Sequence, residues 1–208
     1  MTEKPTLDSK LAHKAAHLLS PIDLASGSAT RIQLLKDCGV DFRSYPQDTD
    51  EDRGLATTPG QIVCHIAKGK MDAFASSADF DPARLALALD TMVSFHGRML
   101  GKPHDEADAR RMITAFCGQW QDIVTGYVLH IPGKGMRTGA AHSRLLFRSL
   151  TPAEVDSYIE GGEWKGVAGG YRLQLNGWRL VERIEGSWSN IVGIPLEELV
   201  GILEGNQD

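Results

Sequence analysis

A short polar segment near the N-terminus has the composition of an anion-binding turn. Ser26, Gly27 and Ser28 follow a predicted strand over 22–25, and Arg31 lies in the first turn of the helix predicted next. The free N–H groups and the dipole of a helix start attract an anion, and an adjacent guanidinium strengthens such a site. The segment lacks the Gly-Lys-Ser/Thr of a P-loop, so an ordinary serine-capped turn is the alternative interpretation.

Two acidic residues could hold a divalent metal or act as a general base. Asp90 follows the apolar run 84–89 and is predicted to lie at a strand end, where polar groups of open α/β sheets line the ligand crevice. A carboxylate there can hold Mg²⁺ or accept a proton. Glu51, in the acidic loop 48–52, is a candidate second metal ligand. The alternatives are a turn-initiating aspartate and a solvated acidic loop.

Two lysines complete a set of groups suited to a polyphosphate. Lys70 lies on a predicted helix and Lys102 lies in the stiff turn Gly101-Lys102-Pro103, and either ammonium could neutralise phosphate charge. Exposed lysines usually have no such specific role. No Ser-His-Asp order marks a nucleophile, and the scattered histidines of the central part are interpreted as surface or strand residues.

The composition argues against several classes of protein. Hydrophobic residues make up 42% and charged residues 24% of the 208 residues, which is ordinary for a globular chain. A net charge of −5 argues against a protein that coats a nucleic-acid polymer. The three cysteines form no CxxC pair, which excludes a zinc ribbon or a redox motif. No apolar run approaches the roughly 18 residues of a membrane span and no signal peptide is visible, so we expect no membrane association and a cytoplasmic location.

The elements that must position these residues alternate along the chain. The apolar spacing predicts a helix over 7–18 that ends at Ser20-Pro21, and later a helix that begins with the capping box at Thr58. Helices and strands alternate early, whereas strands over 123–131 and 143–147 pair late. This order predicts an α/β fold with a mixed sheet, in one domain with two lobes around a cleft.

The order of the motifs resembles that of the Maf (septum formation) family. The resemblance extends from about residue 22 to 203 and leaves only the N-terminal helix unmatched, which predicts an extension over 1–20 and a Maf-like domain over 21–208. The motifs that carry it are Leu24-Ala-Ser-Gly-Ser28-x-x-Arg31-x-x-Leu34-Leu35, Ala67-Lys-Gly-Lys70, Leu89-Asp90-Thr91-Met92-Val93, Gly101-Lys102-Pro103, Ala168-Gly-Gly-Tyr171-x-x-Gln174, and the segment from Val181 to Leu196 with Gly186, Asn190 and Gly193.

The resemblance implies a nucleoside triphosphate pyrophosphatase, acting on pyrimidine substrates such as dTTP and UTP, with Mg²⁺ or Mn²⁺ as cofactor. It implies an elongated mixed sheet with flanking helices, similar to inosine-triphosphate pyrophosphatases, and a possible homodimer. Carried over by position, the catalytic residues are Asp90, Lys70 and Lys102, and the metal ligands are Glu51 and Asp90. The substrate-binding residues are Ser26, Ser28, Arg31, Thr91 and Gln174.

The chain also departs from the family pattern. Ala29-Thr30-Arg31 stands where the family has Pro-Arg-Arg, and Cys117-Gly118-Gln119 where it has Ser-Gly-Arg. The Arg replaced by Thr30 is associated with base choice, so the resemblance predicts poorer discrimination between bases. Two alternatives remain: a nucleotide-binding regulator of cell division without turnover, and a pyrophosphatase for modified purine nucleotides.

Overall fold

The computed structural model describes residues 4–47 and 57–205, and within these ranges seven strands form one sheet. The helices are α1 (Ser9–Leu19), α2 (Ala29–Cys38), α3 (Pro59–Ala75), α4 (Glu106–Phe116), α5 (Pro152–Glu160), α6 (Trp188–Val192) and α7 (Leu196–Leu203). The strands are β1 (Ile22–Leu24), β2 (Phe42–Ser44), β3 (Leu85–Phe95), β4 (Arg98–Leu100), β5 (Trp120–Ile131), β6 (Gly135–Phe147) and β7 (Val181–Glu185). Two short 3₁₀ segments, Ala168–Gly170 and Asn176–Leu180, lie between α5 and β7.

The sheet is mixed, as the alternation of elements predicts. Its strand order is β2-β1-β3-β5-β6-β7, with β4 paired to β3 off this path. β1 is parallel to β2 and β3, whereas the β3–β5, β5–β6, β6–β7 and β3–β4 pairs are antiparallel. The predicted α/β class is therefore confirmed.

A gap in strand pairing lies beside the middle of β3. β1 pairs with β3 only as far as Leu87, and β4 pairs with β3 only from Val93 onward. Among the described residues, positions 88–92 have a strand neighbour only on the β5 side. The prediction that Asp90 ends a strand is wrong, because pairing with β5 continues from residue 86 to 94 and carries β3 through it. The strand that ends near Asp90 is its parallel neighbour, β1.

α3 covers this part of the sheet at close range. Its start is the predicted capping box, in which the Thr58 hydroxyl accepts from the Gln61 N–H and the Gln61 side chain accepts in return. Gly126, on β5 directly opposite Asp90, faces the helix. A Cβ at Gly126 would lie 2.4 Å from the Val63 carbonyl carbon, so any side chain there would push α3 away from the strand pair.

Among the described residues the core forms three clusters, of which the smallest packs α3 against β3 and β5 and the two larger ones lie toward the two ends of the sheet. One cluster packs α1, α2 and α7 against β1 and β3, with Leu35 and Leu89 among its fully buried residues. A second cluster packs α4 and α5 against the far ends of β5 and β6, around Phe116 and Phe147. These are the two predicted lobes, and the pairing gap of β3 lies between them.

The β5–β6 hairpin is longer than the sequence predicts. β5 begins at Trp120 rather than 123, and β6 begins at Gly135 rather than 143. Cross-strand pairing therefore outweighs the low strand propensity of the glycine- and alanine-containing part of β6. Packing explains the glycine at position 139. It lies opposite Tyr127, and a Cβ there would lie 2.2 Å from the Tyr127 hydroxyl oxygen.

α1 forms part of the first lobe. Ala15 and Leu19 are fully buried in its core cluster, and Lys14 forms a 2.8 Å ion pair with Glu204 after α7. The division into an extension over 1–20 and a domain over 21–208 stays a prediction. In the described ranges no helix combines the length and the apolar character that crossing a membrane requires.

Candidate active site

A cleft of about 560 Å³ lies where the pairing of β3 is interrupted. That volume suits one small ligand, since ligand pockets generally range from about 300 to 1,000 Å³. Its walls come from the β1–α2 turn, the middle of β3, the β4–α4 loop, the segment 166–174 and the α6–α7 turn. The predicted site residues among its lining are Ser26, Ser28, Arg31, Lys70, Asp90, Thr91, Lys102 and Gln174.

Asp90 and Lys70 form an ion pair inside the cleft. Lys70 Nζ donates to Asp90 Oδ1 at 2.7 Å, and the two side chains are only 13% and 9% exposed. The other carboxylate oxygen, Asp90 Oδ2, is buried and has no hydrogen-bond partner among the described residues. A buried carboxylate oxygen left unpaired costs free energy unless a proton, a metal ion or a ligand occupies it. Asp90, a residue of the cleft lining, therefore has one buried acceptor atom that no group of the described residues uses.

Arg31 is bonded to four acceptors of the protein. Its Nε donates to the Gly193 carbonyl at 3.0 Å, and Nη1 donates to Ser26 Oγ at 3.1 Å and to the Leu89 carbonyl at 3.0 Å. Its Nη2 donates to Thr91 Oγ1 at 2.9 Å. The Leu89 carbonyl lies in the pairing gap, so the guanidinium takes the place of a neighbouring strand.

This bonding leaves Arg31 little capacity for a phosphate. A guanidinium has five N–H groups, of which four are used by the protein. Burial lowers the pKa of Arg31 from its ordinary value, and the negative charge of Asp90 opposes that shift. The guanidinium of Arg31 is thus largely engaged with other groups of the cleft wall. Its assignment as a substrate-binding residue stays a prediction.

The two serines of the β1–α2 turn have different roles in the structure. Ser26 Oγ accepts from the Ser28 N–H at 3.3 Å as well as from Arg31, so it organises the turn. Ser28 is the N-cap residue of α2, but its side chain makes no capping bond. Its hydroxyl and the first N–H groups of α2 are therefore available to an anion in the cleft.

Lys102 lines the cleft from the exposed β4–α4 loop. The loop is fixed to the segment 166–174, because the Gly169 N–H donates to the Gly101 carbonyl at 3.0 Å. Within the described ranges Lys102 has no ion-pair partner. Its charge is uncompensated there, as expected of a group that binds a polyanion.

A third group of polar side chains in the cleft lining includes Thr30, Arg172 and Gln174. Gln174 Nε2 donates to Thr30 Oγ1 at 3.3 Å, and Arg172 Nη1 donates to the same oxygen at 3.2 Å. Thr91 Oγ1 is bonded to Arg31 and to Thr125 Oγ1, the latter at 2.9 Å. Sequence reasoning missed Arg172, although it is the only cation inside the motif from Ala168 to Gln174.

Of the two predicted metal ligands, Asp90 lies among the described residues. Glu51 lies outside the described residues, and within them no cluster of three or more His, Cys, Asp or Glu side chains could hold a metal by itself. Asp90 Oδ2 still fits the requirement, because Mg²⁺ commonly takes one or two carboxylates and obtains its other ligands from phosphates and water.

The family model and the most similar relatives indicate the same protein family. A model described as Maf-like protein matches residues 21–206. The dTTP/UTP pyrophosphatase of Gloeobacter violaceus is 39% identical over 180 residues, covering 86% of this chain and 93% of the relative. That of Pyrococcus furiosus is 36% identical over 186 residues, covering 89% and 95%. Among solved structures, the Ham1 protein of Staphylococcus aureus is similar with a TM-score of 0.48 and 14% identity, covering 90% of this chain and 100% of that one. The match over nearly the whole chain shows that it belongs to the Maf-like protein family.

Proposed function

We propose that this chain is a nucleoside triphosphate pyrophosphatase that prefers the pyrimidine substrates dTTP and UTP. The observation that carries the proposal is the buried Asp90–Lys70 pair with its unpaired Oδ2, placed in a nucleotide-sized cleft. The relatives named dTTP/UTP pyrophosphatase, which the chain matches over most of their length, support the reaction and the choice of base.

The polyphosphate would lie between the start of α2 and the β4–α4 loop. Ser28 and the N–H groups of α2 would bind phosphate oxygens from one side, and Lys102 would neutralise charge from the other. Lys70 also lines the cleft and is held in place by Asp90. Phosphoryl transfer depends chiefly on positioning and charge neutralisation, which these groups would supply.

Asp90 would act as the proton acceptor. A water molecule beside Oδ2 would lose its proton to the carboxylate as its oxygen bonds to the α-phosphorus. The bond from that phosphorus to the α–β bridging oxygen breaks, and the oxygen leaves with pyrophosphate. The other product is the nucleoside monophosphate. Lys70 would offset the charge that develops on the leaving oxygens, and Lys102 would hold the polyphosphate before and during the reaction.

Asp90 and Glu51 would hold the divalent cation. Each carboxylate oxygen has two acceptor positions, so Asp90 Oδ2 can contact a cation and a water proton at once. When bound, Mg²⁺ or Mn²⁺ would neutralise phosphate charge and polarise the reacting phosphoryl group.

Product analysis tests the proposal. Purified protein is incubated with Mg²⁺ and a panel of dTTP, UTP, CTP, ATP, GTP and inosine triphosphate, and nucleotides and pyrophosphate are measured. The expected products are a monophosphate and pyrophosphate, fastest with dTTP and UTP. Chelation should stop the reaction and added Mg²⁺ or Mn²⁺ should restore it. Diphosphate with inorganic phosphate would contradict the proposed bond cleavage, and full activity in chelator would contradict the metal role.

Other outcomes would favour the alternatives. Nucleotide binding without turnover would favour a regulatory protein, and a preference for inosine triphosphate would favour a purine pyrophosphatase. We also propose that the protein acts in the cytoplasm, where its substrates are. Light scattering of the purified protein tests the homodimer that the family resemblance suggests.

A further inference from the structure

Three side chains at the end of the cleft meet at one oxygen atom. Thr30 lies in the first turn of α2, whereas Arg172 and Gln174 lie in the segment that follows the first 3₁₀ turn. Arg172 Nη1 and Gln174 Nε2 both donate to Thr30 Oγ1, at 3.2 and 3.3 Å. All three residues line the cleft.

This arrangement fixes which hydrogen-bonding groups remain for a ligand. A hydroxyl has two lone pairs and one O–H, and the two donors occupy both lone pairs of Thr30 Oγ1. Only the Thr30 O–H remains, so the hydroxyl can serve a ligand only as a donor. Gln174 Oε1 has no partner among the described residues and remains as an acceptor. The end of the cleft thus presents one donor beside one acceptor.

Arg172 is the rigid member of the group. Its Nε donates to the Glu163 carbonyl at 3.0 Å and its Nη2 donates to the Lys165 carbonyl at 2.7 Å. Because the guanidinium is planar, these two bonds orient the third donor, Nη1, toward Thr30. A free arginine side chain would lose considerable rotamer entropy on binding a ligand, and this one is already ordered by the protein.

We propose that Arg172 is a specificity-determining positioning residue, which fixes Thr30 and Gln174 as a donor–acceptor pair that reads the imide edge of uracil or thymine. In that edge a carbonyl lies beside an N–H group, so the Thr30 O–H and Gln174 Oε1 match it. Cytosine has an unprotonated ring nitrogen in place of the N–H, which would face the Gln174 oxygen without a proton between them. The inference rests on the proposed function, because it assigns a base to the same cleft.

Paired substrates that differ only in the base test the proposal. Steady-state kcat/KM is measured for UTP and CTP with the wild type, Arg172→Ala and Thr30→Val. Both variants should lower the UTP/CTP ratio of kcat/KM by about tenfold, the approximate effect of losing one hydrogen bond. Arg172→Lys should lower it as well, since a lysine retains the charge but not the planar fork. Arg179→Ala is the matched control, because Arg179 packs over Trp178 away from the cleft lining.

A structural role alone would give a different result. If Arg172 only stabilised its loop, Arg172→Ala would lower kcat/KM equally for UTP and CTP and leave their ratio unchanged, which would overturn the inference while leaving the pyrophosphatase assignment intact. A wild-type ratio restored in Arg172→Lys, or a wild type that does not distinguish UTP from CTP, would also overturn it.

Binding of UMP and CMP separates the inference from the proposed function. These ligands carry no polyphosphate, so calorimetric titration reports base recognition without turnover. Tighter binding of UMP than CMP by the wild type, lost in Arg172→Ala, would support the inference even if no triphosphate were hydrolysed. Equal selectivity in the two proteins would overturn it even if hydrolysis were fast.

Discussion

The floor and the rim of the cleft hold their polar groups in different ways. The floor consists of Asp90, Lys70 and Arg31, which are largely buried and bonded to one another or to the backbone. The rim is the exposed or half-exposed set formed by Ser28, Lys102 and Gln174, each of which has bonding capacity to spare.

This difference separates residues suited to chemistry from residues suited to ligand binding, which residue type alone does not distinguish. Groups already ordered by the protein need no reorganisation when charge develops during a reaction, so the floor is suited to chemistry. Groups with unused donors and acceptors gain bonds only when a ligand arrives, so the rim is suited to binding. A cation in a nucleotide-binding motif can therefore belong to either set: Arg31 belongs to the floor and Lys102 belongs to the rim.

The largest expected effect comes from breaking the floor at its carboxylate. Asp90→Asn retains the size of the side chain but removes the anion and the proton acceptor, so kcat should fall at least about 100-fold. The measurement is pyrophosphate release, with circular dichroism to verify folding. Asp72→Asn, on the exposed face of α3, is the matched control and should be near wild type. An Asp90→Asn rate close to wild type would show that Asp90 is structural.

The two lysines test whether the floor and the rim affect different kinetic constants. Lys70→Ala leaves Asp90 Oδ1 without its partner and should lower kcat, whereas Lys102→Ala removes an unpaired rim charge and should chiefly raise KM. About tenfold is expected for each, the approximate effect of losing one charged contact. Lys68→Ala, which removes an exposed lysine of α3, is the control. Identical changes in kcat and KM for both variants would remove the distinction between floor and rim.

The smallest effect on catalysis is expected for a change outside both regions. Deletion of residues 1–19 removes α1, whose Ala15 and Leu19 are buried in the first lobe but do not line the cleft. The melting temperature should fall because apolar contacts are lost, while kcat/KM should stay within a few-fold. Lys14→Ala, which removes only the ion pair with Glu204, separates charge from packing. A folded but inactive truncation would place α1 in the function of the cleft.

Local signals were sufficient to predict much of this molecule. The capping box at Thr58, the helix end at Ser20-Pro21 and the alternation of elements depend on neighbours within a few residues, and the structure confirms them. Asp90 and Lys70 could be selected as a site from residue type and motif order, although no strand end lies at Asp90.

Contacts between distant segments could not be predicted in this way. The bond from Arg31 to Gly193 joins positions 162 residues apart, and the bond from Arg172 to Thr30 joins positions 142 residues apart. The expectation of poorer base discrimination rested on position 30 alone. A guanidinium reaches that position from another segment, and no local periodicity encodes such an approach.

The hydrogen bonds of Arg31 also affect how the protein unfolds. One side chain joins the β1–α2 turn, the middle of β3 and the α6–α7 turn, so the first lobe cannot release its C-terminal helices without leaving buried carbonyls unpaired. The two ends of the chain should therefore unfold as a single cooperative unit. In native-state hydrogen exchange, the amides of α2 and those around Gly193 and Ile194 should exchange with similar opening free energies, although they are far apart in sequence.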